Sequence, residues 1–108
     1  MQFQHPQDLI AYAVNKRDAE LASRLREQAR FHAATAAEPN RSGHGMAGAL
    51  HMALDCARAA NYVDEGNWGA IVSDGIGMMV VAFNAAAYLC GLSPAERKEL
   101  ADIMATGN

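Results

Sequence analysis

Apolar residues recur every three to four positions along most of the chain, and no segment shows the period-two alternation of a strand. Leu9, Ile10, Ala13 and Val14, then Leu21, Ala22, Leu25, Ala29 and His32, keep a helical spacing from Pro6 to about Ala37. Pro6 suits a first helical turn, and the polar cluster Asn15-Lys16-Arg17-Asp18 marks a possible interruption, with Asp18 placed to cap a second helix. Glu38-Pro39-Asn40-Arg41-Ser42-Gly43-His44-Gly45 is the strongest loop signal in the chain. A further helix follows through Met46, Leu50, Ala53, Leu54, Ala57 and Ala60 or Asn61, and it ends where Gly66 can turn left-handed and Asn67 can cap the next element. An apolar run from Trp68 or Ser73 to Cys90 predicts the central helix, closed by Gly91. Ser93-Pro94-Ala95-Glu96 has the form of a capping box, although Arg97 opposite Leu92 leaves the accompanying hydrophobic staple incomplete. The last helix runs through Leu100, Ile103 and Met104 to about Ala105. The expectation is an all-α fold of four to five helices around a central apolar helix at about 73–90, in one domain spanning 1–108.

Composition changes the picture of the core. Hydrophobic residues make up 51% of the 108, yet 23 are alanine, leaving 32 larger side chains able to fill an interior. Alanine favours helix and lets helices approach closely, and a domain of this size buries only a modest fraction of its surface. A chain so built gains burial by association, so a homo-oligomer, most simply a dimer, is expected.

Charge and the remaining composition narrow the function classes. The net charge of -3, with charged residues at 19%, suits a soluble globular protein. Lys16, Arg17, Arg24, Arg30 and Arg41 form at most a loose basic stripe with acids interspersed, which argues against nucleic acid as a partner. The segment Ile76–Leu92 is the most lipid-like, but its 17 residues carry Asn84 at their middle, and a span needs about 20 apolar residues, so no membrane partner is expected. The opening Met1-Gln2-Phe3-Gln4-His5-Pro6 lacks an export signal, and Cys56 and Cys90 lie in apolar stretches outside any metal spacing. The expectation is a cytoplasmic protein with reduced, buried thiols.

Candidate chemistry is sparse. Gly43-His44-Gly45-Met46-Ala47-Gly48 matches G-x-G-x-x-G, but no strand precedes it, so the dinucleotide reading fails. The glycine loop could still present backbone N–H groups to an anion or nucleotide phosphate, with Arg41, Ser42, Gly43, His44 and Gly45 as its residues; otherwise it is a turn that needs glycine. His44, His51 and Asp55 fall at helical spacing and are candidate metal ligands, against the simpler reading of His51 and Asp55 as a side-chain pair. Tyr62 and Trp68, near a turn, are either core filler or anchors for a partner. No serine, cysteine or carboxylate stands in a nucleophile or acid–base motif, so no enzyme and no cofactor is expected. The leading expectation is therefore a non-enzymatic helical protein that binds another protein or protein complex, an oligomeric regulator or inhibitor such as a phage or mobile-element accessory protein directed against host defence. An anion- or nucleotide-binding module is the alternative, and a metal-binding helical protein the next.

Overall fold

The first helix, α1 (Pro6–Lys16), starts where His5 accepts a hydrogen bond from the Gln7 backbone N–H on its Nδ1 at 3.1 Å, and it buries Leu9, Ile10, Ala13 and Val14. In the computed structural model, residues 3–39 and 42–106 are described, and they form six helices with no strand among them. The interruption expected near residue 17 is real and one residue wide. Arg17 leaves the helical conformation, and α2 (Asp18–Ala36) begins with Asp18 as its first residue, so Asp18 opens the helix where a cap was expected. The Arg17 side chain, held by Glu20, donates from Nη1 to the Leu89 carbonyl at 2.7 Å, a contact across 72 residues that fixes the bend between α1 and α2.

Helix α3 (Gly43–Asp64) is the longest, at 22 residues. Its end follows the local chemistry: Gly66 takes φ 66°, Asn67 donates its N–H to Tyr62 O at 2.8 Å, and Asn67 Oδ1 accepts from the Ala70 N–H at 3.1 Å to start α4 (Trp68–Ser73). The apolar run expected as one central helix is divided. Gly75 adopts φ 136°, open to glycine alone among common residues, and separates α4 from α5 (Ile76–Leu89). At the far end Gly91, at φ 67°, and the Leu92 N–H to Ala87 O bond of 3.1 Å close α5. The capping box of α6 (Pro94–Thr106) forms as expected, with Ser93 N–H to Glu96 Oε1 at 3.0 Å and Glu96 N–H to Ser93 Oγ at 3.2 Å. The Ser93 backbone N–H, with the Ser93 hydroxyl adding to it, holds the Glu96 carboxyl below its ordinary range. The two divisions, at Arg17 and Gly75, raise the helix number from the expected four or five to six.

Helices α2 and α3 pair most extensively, and α5 lies against α1, α2, α3 and α4. Phe83 and Met78 are fully enclosed at the centre, with Leu9, Ile10, Leu21, Leu25, Ile71 and Leu100 converging on them. Small residues set the spacing: Ala59 and Ala60 of α3 and Ala82, Ala85 and Ala86 of α5 are buried, letting backbones approach where larger side chains are few. Helix α5 ends at Leu89, and no described helix is long and apolar enough to cross a membrane.

Two substitutions test this packing. Phe83→Ala is expected to cost about 3–5 kcal/mol by denaturant unfolding, since the ring is enclosed by the cluster and a cavity remains. Ser93→Ala removes one arm of the capping box and is expected to cost about 1 kcal/mol at neutral pH. Because Glu96 titrates lower when folded, its share of the stability is present above the ordinary carboxylate range and is lost as pH falls. Alanine keeps the Ser93 N–H that gives the larger part of this shift, so the Ser93→Ala deficit should shrink only by the hydroxyl's share once Glu96 is protonated.

Candidate functional site

The outward face of α3 departs most from what the sequence pattern suggests. Met46, Leu50 and Leu54 recur every four residues and read as the core-facing stripe of the helix. They are instead 43%, 46% and 61% exposed, while the buried edge is made by Ala49, Asp55, Cys56, Ala59, Ala60 and Val63. The small side chains point inward because α2 and α5 pack closely there. Ala47 and Ala57 are exposed alongside the stripe, so the open face of α3 is apolar over three turns and carries no charge within it.

At the start of α3, Ser42 Oγ accepts from the Gly45 N–H at 3.1 Å, satisfying one of the free donors that an anion would need. Gly43 and His44 are exposed, and Arg41 lies outside the described residues. The glycine loop is thus a capped helix start, with Ser42 the side chain that bonds its backbone N–H among the described residues.

The metal candidates separate. His51 Nε2 lies 3.4 Å from Asp55 Oδ2, the helical pair expected from their spacing, while His44 is not gathered with them. Among the described residues no three His, Cys, Asp or Glu side chains come together closely enough to hold a metal ion. Asp55, only 6% exposed, has another role. Its Oδ2 rests against the first turn of α5, so that a Cβ on Gly77 would stand 2.8 Å from it. A carboxylate there faces the positive end of the α5 dipole, which has no capping side chain of its own. Arg58 Nη1, 3.7 Å from Asp55 Oδ1, also pairs with Asp74, and Tyr62 donates its hydroxyl to Asp74 Oδ2 at 3.1 Å. Tyr62 and Trp68, the expected partner anchors, are half-buried and packed against the core cluster, and Tyr62 spends its hydroxyl within this network.

A polar cavity lies on another side of the molecule. Arg24, Gln28 and His32, at four-residue spacing on α2, face Met52 and Cys56 of α3, Asn84 and Tyr88 of α5, and Arg97 of α6, around a volume of about 270 Å³. Arg24 lays its guanidinium 3.7 Å over the Tyr88 ring and pairs with Glu27 at 2.7 Å, while its Nε is buried without an acceptor among the described residues. Burial pushes the Cys56 thiol up to about 11, with Asp55 beside it adding to the shift, so this cysteine is a protonated wall residue and a poor nucleophile. Burial also raises the Cys90 thiol, against the opposing pull of Arg17, and both cysteines are free.

Sequence spacing did not reveal this cavity, because Arg24, Gln28 and His32 on their own resemble a solvated helix face or a core edge. The available signal was Asn84, the single polar residue inside the apolar helix α5. Comparison with protein-family models, with curated proteins and with solved structures finds no match to this chain.

The Asp55–Gly77 contact yields a direct check. Alanine is ordinarily better than glycine in a helix by about 1 kcal/mol. Gly77→Ala is nevertheless expected to destabilise, because its Cβ meets the seated carboxylate. The Asp55→Ala, Gly77→Ala pair should lose less than the sum of the single changes, measured by urea unfolding. A stabilising Gly77→Ala, or strict additivity, contradicts the contact.

Proposed function

We propose that this chain is a non-catalytic binding protein that works as a homodimer, with the apolar face of α3 covered by the same face of a second copy. The observation that carries the reading is the exposure of Met46, Leu50 and Leu54 on the side of α3 opposite its buried edge. A helix face open to water normally carries polar and charged residues, and contiguous apolar surface marks contact with a partner. Two features favour a second copy. The face holds no charge, so it neither repels itself nor selects a partner of one sign. A two-fold axis through Leu50 would set Met46 of one protomer opposite Leu54 of the other, a self-complementary pairing in which Ala47 and Ala57 let the backbones approach. Arg58 beside the face is already engaged by Asp55 and Asp74 and needs no partner charge.

Such a dimer supplies the burial that an alanine-rich chain lacks. Its mode of action would be that of a regulator or inhibitor acting through binding on a larger protein complex, as accessory proteins of mobile elements do.

Light scattering on the eluting protein at micromolar concentration should give twice the 11.5 kDa chain mass. The Leu50→Glu, Leu54→Glu variant should elute as a monomer with unchanged helical circular dichroism. Each apolar side chain stands to gain about 1 kcal/mol from being covered, whereas an unpaired charge buried in its place costs several. A monomeric wild type, or a double variant that still dimerises, overturns the reading.

A further inference from the structure

We propose that the cavity between α2, α3, α5 and α6 is a binding site for a small organic oxyanion, a phosphate monoester or a carboxylate, held by Arg24 and Arg97. The proposal is independent of the dimer reading, since Met52 and Cys56 reach the cavity from a different side of α3 than Met46, Leu50 and Leu54.

Charge is the first argument. The chain has a net charge of -3, yet no carboxylate lines this cavity of about 270 Å³, and two guanidinium groups do. A neighbouring hollow of about 450 Å³, which shares Asn84 and Arg97, also lacks an acid in its lining, and its Lys98 is neutralised by Asp102 at 2.7 Å. The cavity wall holds two arginines and no acid: Arg24 is shared with Glu27, which lies outside the lining, and Arg97 has no ion pair among the described residues, so positive potential is focused there.

Unused hydrogen-bonding capacity is the second. Arg24 Nε is buried with no acceptor among the described residues, although buried donors are ordinarily satisfied. The Arg97 side chain, half-buried, forms no ion pair or hydrogen bond with any described residue. Guanidinium groups present two parallel N–H donors that match carboxylate and phosphate oxygens. An oxyanion between them would fill both vacancies at once.

The third argument is the arrangement of the rest of the wall. Asn84 interrupts an otherwise apolar helix and stands exposed at the cavity, where a leucine would cost nothing in helix formation. Gln28 and His32 add hydrogen-bonding groups from α2, and His32 is oriented by an edge contact with Phe31 at 5.5 Å between ring centres. Met52, Val81 and the Tyr88 ring supply apolar surface for a ligand body. A few convergent polar groups on an apolar wall are the pattern of a small-molecule site, and the volume lies at the small end of that class.

The test uses inorganic phosphate, AMP and citrate at millimolar concentration on the full chain, at constant ionic strength, followed by thermal unfolding and by amide and side-chain NMR shifts. At least one of the three should raise Tm by about 2 °C or more and shift the Asn84 amide and the Arg24 and Arg97 Nε resonances. Binding of phosphate or AMP without citrate assigns the phosphate class, and binding of citrate alone assigns the carboxylate class. Arg97→Gln and Asn84→Leu should each weaken the bound probe about tenfold or more while leaving the ligand-free Tm unchanged, since neither side chain holds the fold. No response to any probe, or binding that survives both substitutions, overturns the proposal.

Discussion

Helix α5 is met at both ends by charged side chains from other helices, and the rest of the architecture depends on that arrangement. Its fourteen residues carry no charge, its N-cap is a glycine without a side chain, and its last carbonyls have no basic residue of their own. Asp55 of α3 therefore sits against its first turn, and Arg17, at the bend between α1 and α2, donates to Leu89 O at its last. A negative group at the positive end and a positive group at the negative end both oppose the helix dipole. The same two residues fix where α3 crosses α5 and where α1 parts from α2. Gly77 is part of the device, because a side chain there would displace the Asp55 carboxylate.

The length mismatch around this hub explains the open face of α3. At a rise of about 1.5 Å per residue, α3 is roughly 33 Å long and α5 roughly 21 Å. Asp55 meets the start of α5, so the turns of α3 before it have α2 as their main support. Alanine and cysteine make that inner contact close, and the large side chains Met46, Leu50 and Leu54 stand on the outside. A thin core and an exposed apolar stripe are two consequences of one distribution of residues.

Much of this fold could be read from the chain, because the signals were local. Gly66, Asn67, Gly91 and the Ser93–Glu96 box each act within a few residues, and each marks a boundary where it was expected. The division at Gly75 escaped because a glycine inside an apolar run is tolerated within many helices, and its φ of 136° follows from how α4 and α5 pack. On α3 the apolar period marks the helix and leaves its orientation open. Periodicity finds the faces of a helix, and it does not decide which face the neighbours take when one is alanine and the other leucine. The cavity was hidden for a related reason: Arg24, Asn84 and Arg97 are 73 positions apart at their extremes and meet only through the packing of three helices. Of the metal and loop candidates, the structure pairs His51 with Asp55 as their spacing suggests, and it seats Asp55 against the start of α5 and caps α3 with Ser42, placements that spacing alone does not specify.

The central claim is that a second copy covers the outer face of α3, and contact between protomers measures it most directly. In a sample mixing isotope-labelled and unlabelled chains, isotope-filtered NOE spectra report only contacts between protomers. The account predicts cross-protomer NOEs that link Met46 to Leu54 and Leu50 to its own counterpart. Intermolecular NOEs confined to other surfaces, or none at all at concentrations where the mass is that of one chain, would contradict it.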